Sequence, residues 1–226
     1  MKKRVAVLIS GRGSNMSALL DAAEAPDYPA SIALVLSNRP DAAGLARAAD
    51  AGVATAVVDH RAFGTKARRY ADGRDAFDAA VERALTDADV DVVCLAGFMR
   101  LFGAAFAERW KGRILNIHPT LLPAFPGLHV HRRMIEAGVK IAGCTVHFVV
   151  PETDAGPIVG QAALAVRPSD DEESLAARIL ALEHQLYPRC LELVANGRAR
   201  LASGDVTEFA DALVDAEGAL VNPVSG

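Results

Sequence analysis

With 226 residues, 51% of them hydrophobic, the chain is long enough to bury a large core as one α/β domain. Its formal net charge of −4 provides no basic stripe, which excludes a conventional nucleic-acid surface. An anionic ligand would therefore be held by local groups and not by an overall field. Three cysteines, Cys94, Cys144 and Cys190, are too far apart for a metal knuckle and read as buried thiols of a reducing cytosol. The basic start at residues 1–4 leads into an apolar run that breaks at Ser10-Gly11, too short for a signal peptide, and no segment reaches membrane-spanning length. The expectation is a soluble cytoplasmic protein.

Residues 4–9 are a Val/Ile-rich run bounded by Ser10-Gly11 and read as a buried parallel strand. The turn Gly11-Arg12-Gly13-Ser14-Asn15 opens a helix over 15–24 that ends before Pro26. A second strand is expected at 31–37, a helix at 41–51 stopped by Gly52, and a third strand at 54–58. A charged stretch then runs to Gly73 as a loop with one irregular helical piece. Residues 74–87 have helical spacing with Phe77, Val81 and Leu85 on one face. Strands at 90–96 and 113–118 flank a short helix that ends at Trp110.

This alternation predicts a doubly wound, mostly parallel α/β sheet, a Rossmann-like arrangement with all strand C-terminal ends on one edge. The second half differs. Long strands at 140–150 and 158–166, joined by a short Pro/Gly loop, suggest a mixed or antiparallel extension. A long helix over 170–196, opened by Ser169 and closed by Gly197, precedes a short strand at 199–202. From Gly204 a weak helix and a polar tail are expected. The organisation is one domain over 1–203, with a nucleotide-binding half to about 100 and a catalytic half over 101–203, followed by a tail over 204–226.

The turn at Gly11–Asn15 follows a strand and opens a helix, where main-chain N–H groups can hold an anion. Met16 stands where a dinucleotide fingerprint needs a third small residue, and Ser37-Asn38 offers no acid for a ribose diol. A single phosphate held by main-chain N–H groups with Ser14 and Asn15, and a turn that merely needs glycine, are both open readings of this motif. In Ile114-Leu115-Asn116-Ile117-His118, strand alternation puts Asn116 and His118 on one side. Pro119 then ends the strand, presenting an amide and an imidazole at an edge where open α/β sheets bind ligands. The amide can donate to a developing oxyanion, and the imidazolium can do so or pass a proton. Asp154, on a turn before Ala155-Gly156-Pro157, can reach a cleft, and a carboxylate near an imidazole favours its charged form. Taken singly, each reads better as a structural residue, an edge histidine that caps the strand or a turn-initiating aspartate. No Ser or Cys sits in a nucleophile elbow, so the attacking group would be the substrate's own. His129 and His131 point apart on a helix and read as surface residues, not a metal pair, so no metal is expected. His147 lines the site or is simply buried and bonded. Glu183-His184 lies on the long helix, where a solvated face is the default.

Several segments together are similar to the glycinamide ribonucleotide formyltransferases, within the folate-dependent formyltransferase family. They are residues 8–15, Leu36-Ser37-Asn38, residues 95–100, residues 116–123, residues 125–129, residues 145–148, residues 154–157 and residues 183–188, in matching order and spacing. The resemblance runs from about residue 4 to 201 and places Asn116, His118 and Asp154 on the family's catalytic trio. It implies formyl transfer from 10-formyltetrahydrofolate, as co-substrate, to the amine of a glycinamide ribonucleotide in purine biosynthesis. It further implies that Gly13, Ser14 and Asn15 hold the phosphate and that Glu183 takes a ribose hydroxyl. The folate would lie on Met99, Arg100, Leu101, Phe102, Asn116, Val149 and Glu152, with Arg74 at its tail. Arg12, Ala155 and Leu180 depart from the family's usual residues, and a charged insertion at 65–73 blurs the alignment near Arg74.

Two relatives of the same fold offer alternatives. Formyltetrahydrofolate deformylase delivers the formyl group to water but usually carries a regulatory domain ahead of the catalytic one, whereas here the first strand starts at once. Methionyl-tRNA formyltransferase has a basic C-terminal domain that this acidic chain does not show. A decayed nucleotide-binding module is the non-enzymatic alternative. Partners are thus expected to be small molecules, not nucleic acid or membrane, with faces beyond the sheet edge compatible with a homodimer.

Overall fold

The computed structural model describes residues 1–64, 67–203 and 205–210, and the side chains of all these except residues 67–72. Its strands are β1 (Lys3–Ile9), β2 (Ala30–Ser37), β3 (Thr55–Val57), β4 (Val92–Leu95), β5 (Ile114–His118), β6 (Ile141–Phe148), β7 (Ile158–Ala165), β8 (Ala199–Ala202) and β9 (Val206–Phe209). The helices are α1 (Ser14–Ala23), α2 (Gly44–Asp50), α3 (Ala67–Asp87), α4 (Ala104–Arg109), α5 (Val130–Glu136) and α6 (Glu172–Ala195), with a 3-10 turn at His60–Phe63. Seven strands form one sheet in the order β3-β2-β1-β4-β5-β6-β7, and β8 and β9 form a separate antiparallel pair. The chain divides into two compact units, Met1–Leu115 and Asn116–Gly226.

In the first unit β1 pairs in parallel with both β2 and β4, and β2 in parallel with β3. Val5, Ala6, Val7, Leu8 and Ile9 are wholly buried, as a strand covered on both faces requires. Each such large aliphatic side chain contributes roughly 1.5–3 kcal/mol of burial free energy. Phe77, Val81 and Leu85 bury the expected face of α3. An aromatic ladder adds to this core, with Phe98 5.5 Å from Phe102, Phe102 4.1 Å from Phe106 and Phe106 6.2 Å from Trp110, all near-parallel.

In the second unit β6 and β7 run antiparallel, and the register slips between Val146 and His147. The wholly buried Leu175, Ile179, Tyr187, Cys190 and Leu191 form the apolar face of α6. No helix among the described residues is long and apolar enough to cross a membrane.

Four expectations need correction. Helix α2 begins at Gly44 and not at 41, because residues 39–45 form turns bonded Ala42 N–H to Arg39 and Leu45 N–H to Ala42. The N–H of Gly44 is donated to the Gly11 carbonyl, outside the helix. Helix α3 starts at Ala67 and not at 74, within the stretch to Gly73 read as a loop with one irregular helical piece. Helix α6 is capped by Asp171, not Ser169: the Asp171 carboxylate accepts the Ser174 N–H and the Ser174 hydroxyl accepts the Asp171 N–H, a reciprocal box. Residues 206–209, read as weakly helical, are strand β9, because Ala199, Arg200, Leu201 and Ala202 offer a ladder to Phe209, Glu208, Thr207 and Val206. The remaining tail, Gly204 and residues 211–226, lies outside the described residues, as do residues 65–66 of the charged insertion.

One buried acid in this fold has a thermodynamic signature. Asp78 on α3 is only 3% exposed, and its Oδ2 accepts the N–H of Gly103, the residue that opens α4, at 2.7 Å. Burial pushes its carboxyl up to about 6, more than the Gly103 bond and the nearby Arg74 and Arg109 charges pull it down. A folded-state value above the unfolded one means that the folded protein holds the proton more tightly. Stability from this group is therefore fully present below the unfolded value and is lost as pH rises towards 6. Asp78→Asn keeps the acceptor for Gly103 and removes the ionisation. Urea unfolding at pH 8 is expected to show the variant more stable by about 2–3 kcal/mol, with the difference vanishing near pH 4. A variant less stable than wild type at both pH values would overturn this account.

Candidate active site

In the first unit the turn after β1 is shaped by backbone geometry. Gly13 has φ 70° at the head of α1, and its carbonyl accepts both the N–H of Ser17, at 2.9 Å, and the Ser17 hydroxyl. The N-cap of α1 is Gly13, so the cap residue has no side chain to accept from the first turn of the helix. Gly44 packs directly on this turn and donates its N–H to the Gly11 carbonyl at 3.0 Å. A Cβ there would fall 2.5 Å from Ile9 Cδ1 and 3.2 Å from the Gly11 oxygen, so glycine is what allows α2 to sit against the turn. Sequence reading missed Gly44, whose only signal is a glycine opening a helix where a polar cap is usual.

Ser10 joins this turn to the segment after β4. Its hydroxyl donates to Asn38 Oδ1 at 2.6 Å and accepts the Met99 N–H at 2.8 Å, and it is buried. The Ala96 N–H is held by the Leu8 carbonyl, and Gly97 takes φ 71°, which lets the chain turn out beyond the sheet. Met99 and Leu101 consequently stand exposed at 67% and 56%, an apolar surface that a flat ring can cover. Phe102 is instead buried in the aromatic ladder, and the Arg100 guanidinium lies 5.9 Å from the Phe77 ring centre. Arg74 is half-buried, with its Cδ 3.4 Å from where a Gly103 Cβ would be.

The second unit begins with the catalytic candidates. Asn116 and His118 leave β5 two residues apart. Asp154, 27 residues beyond Gly127, brings its Oδ2 to 3.6 Å from His118 Nδ1 while accepting the Gly127 N–H at 2.8 Å. Its backbone has φ 54°, a left-handed conformation that Asp tolerates better than most residues. The other face of the His118 ring is also engaged, since Nε2–H donates to the Phe125 carbonyl at 3.1 Å. The loop after β5 that supplies Phe125 and Gly127 is fastened by Thr145. Its hydroxyl donates to the Thr120 carbonyl at 2.7 Å and accepts the Leu122 N–H at 3.0 Å. Gln161 adds a further bond from its amide to the Leu122 carbonyl.

His147, for which burial and a site role were equally open, belongs to the same cluster. Its Nε2 is 3.1 Å from Asn116 Nδ2 and 4.0 Å from Asp154 Oδ1, and its Nδ1 is 2.9 Å from the Phe148 carbonyl. Burial holds its imidazole below the usual histidine value, opposed by the Phe148 carbonyl and the Asp154 charge and reinforced by His118.

The remaining candidates are more scattered. Val149 is half-buried and Glu152 exposed, both on the loop that carries Asp154. Glu183 on α6 is buried, contrary to the solvated face expected of it. His129 sits exposed at the head of α5 with φ 56°. His131 is half-buried and not the surface residue expected, with burial lowering its imidazole and Glu172 partly offsetting this. Cys94, Cys144 and Cys190 are buried free thiols, that of Cys144 pushed up to about 12 by burial and by Glu183. Among the described residues no group of three or more His, Cys, Asp or Glu is placed to hold a metal ion.

Comparison with known proteins gives these residues a context. The chain is 48% identical over 203 residues to the trifunctional purine biosynthetic protein adenosine-3 of Drosophila melanogaster, covering 89% of this chain and 14% of that protein. It thus spans a small part of the length of such relatives. It is 42% identical to phosphoribosylglycinamide formyltransferase of Escherichia coli K12, covering 87% of this chain and 89% of that protein. Among solved structures it resembles glycinamide ribonucleotide transformylase 1 of Symbiobacterium toebii, with TM-score 0.85 and 46% identity over 93% of this chain and 95% of that one. The formyl transferase family model matches residues 3–191, more than half of the sequence. On that extent, the chain belongs to the formyl transferase family.

Proposed function

We propose that this protein transfers the formyl group of 10-formyltetrahydrofolate to the amine of 5-phosphoribosylglycinamide in purine biosynthesis, acting in the cytoplasm on small-molecule substrates and without a metal. One observation carries the chemistry: Asp154 lies 3.6 Å from His118, with Asn116 beside it on the same strand. The likeness over nearly the full length of the Escherichia coli enzyme supports the choice of substrates. Residues 1–203 are taken as the catalytic domain, in keeping with the family match over 3–191.

In this reading the amine lone pair attacks the formyl carbon, a C–N bond forms and the C=O electrons move onto oxygen. An Asn116 N–H donates to the oxyanion, the cationic His118 ring stabilises it through space because its two nitrogens face Asp154 and the Phe125 carbonyl, and Asp154 orients that ring. Collapse re-forms C=O and breaks the bond to the folate nitrogen, which takes up a proton as the attacking amine loses one. Gly13, Ser14 and Asn15 hold the phosphate through N–H groups at the start of α1, where the N-cap is a glycine. Glu183 takes a ribose hydroxyl. Met99, Arg100, Leu101, Val149 and Glu152 receive the folate, Arg74 its tail, and Phe102 acts from beneath as a buried support. Holding both substrates in register supplies much of the remaining rate.

Tetrahydrofolate release, followed spectrophotometrically, is expected to require phosphoribosylglycinamide. Release at the same rate without the amine would make the protein a hydrolase and overturn this reading. Asn116→Ala, His118→Ala and Asp154→Asn are each expected to lower kcat by roughly 100- to 1,000-fold with small changes in KM. Full activity in His118→Ala would remove the imidazole from the mechanism. Gly44→Ala should displace the turn at Gly11–Gly13 and raise KM for the ribonucleotide on the order of tenfold, leaving KM for the folate unchanged. Steady-state kinetics with each substrate varied in turn checks both expectations.

A further inference from the structure

Asn116 can serve an oxyanion only if its amide nitrogen, and not its oxygen, is turned the right way, and an Asn amide has two orientations of nearly equal shape. The surroundings of His147 decide between them. The Phe148 carbonyl, 2.9 Å from His147 Nδ1, can only accept, so Nδ1 carries the proton. In a neutral ring Nε2 is then a bare lone pair. The atom 3.1 Å from it must be a donor, which is Asn116 Nδ2.

We propose that His147 is a positioning residue for the reaction. Locked in its Nδ1–H tautomer, it takes one N–H of Asn116 and so fixes the amide with its second N–H free for substrate. This rests on the reading of Asn116 as the oxyanion donor given above.

Three further observations support the assignment. The β6–β7 register slips between Val146 and His147, and such bulges re-aim a side chain beside an active site. His147 is 2% exposed, which keeps its Nε2 away from bulk water and beside Asn116. The charged or titratable groups near the ring are Asp154, on the loop between β6 and β7, and His118, on β5. Burial outweighs Asp154 and keeps the imidazole uncharged, which preserves the lone pair. With the opposite tautomer, Nε2–H would face Asn116 and draw Oδ1 towards it, leaving the Phe148 carbonyl opposite a lone pair.

The test uses the full chain and two substitutions of similar size. His147→Gln places an amide oxygen near the former Nε2 and keeps an acceptor for Asn116. His147→Asn reaches only the former Nδ1 position and leaves Asn116 without one. Thermal unfolding establishes that each variant folds. The expected result is kcat within about fivefold of wild type for Gln and lower by about 100-fold for Asn, as for a lost oxyanion donor, with both KM values little changed. In an Asn116→Ala background the two substitutions should become equivalent. A merely structural role gives equal losses, or a greater loss for Gln, and overturns the proposal.

Nitrogen-15 NMR of the wild-type histidines provides a second readout that needs no variant to fold. His147 is expected with its proton on Nδ1, and a proton on Nε2 overturns the proposal. Wild-type protein inactive on phosphoribosylglycinamide would refute the proposed function instead, and the NMR result would still decide the tautomer.

Discussion

The arrangement depends on how one carboxylate is held. Asp154 has to stand against an imidazole that is remote in sequence, on the loop between β6 and β7. Its backbone adopts φ 54° and its Oδ2 takes the Gly127 N–H, so the side chain has one place to go. A carboxylate is strongly solvated in water, and moving it to a site where its side chain is 10% exposed is costly unless donors replace that water. The Gly127 N–H does so directly, and the His118 ring stands 3.6 Å from the same oxygen.

The consequences extend outward along the second unit. Gly127 can meet Asp154 only if the loop after β5 returns, and Thr145 and Gln161 tie that loop to β6 and β7. Phe125, on the same loop, turns its carbonyl to His118 Nε2. The imidazole therefore has a defined neighbour on each nitrogen before any substrate arrives. This is preorganisation: dipoles set during folding need not be reoriented when charge develops.

The first unit shows a different economy of means. Its candidate binding elements lie where β1 and β4, neighbours in the sheet, end. Ser10 bonds the two together, and Gly44 lets α2 sit against the turn at Gly11–Gly13. Phe77 and the ladder from Phe98 to Trp110 form a stiff base under the exposed Met99 and Leu101. The apolar residues that look most available for ligand divide accordingly, Phe102 facing the core and Met99 and Leu101 facing out.

Sequence alone determined the buried parallel strands, because strands covered on both faces must be continuous apolar runs, as at Val5–Ile9 and Val92–Leu95. It also determined that Asn116 and His118 share a side of β5, since the period of a strand is two. Motif order is what put forward Asp154 and the turn at Gly13 as candidates. Where reading by residue failed, non-local bonds had decided the outcome. Helix α2 begins at Gly44, whose N–H is taken by Gly11 33 residues earlier, and β9 exists because β8 offers it a ladder. Glu183 was read as solvated because a helix face shows its periodicity but not what packs upon it. The tautomer of His147 and the orientation of Asn116 rest on a carbonyl and an amide brought together across 31 residues, and only the tertiary structure could set them.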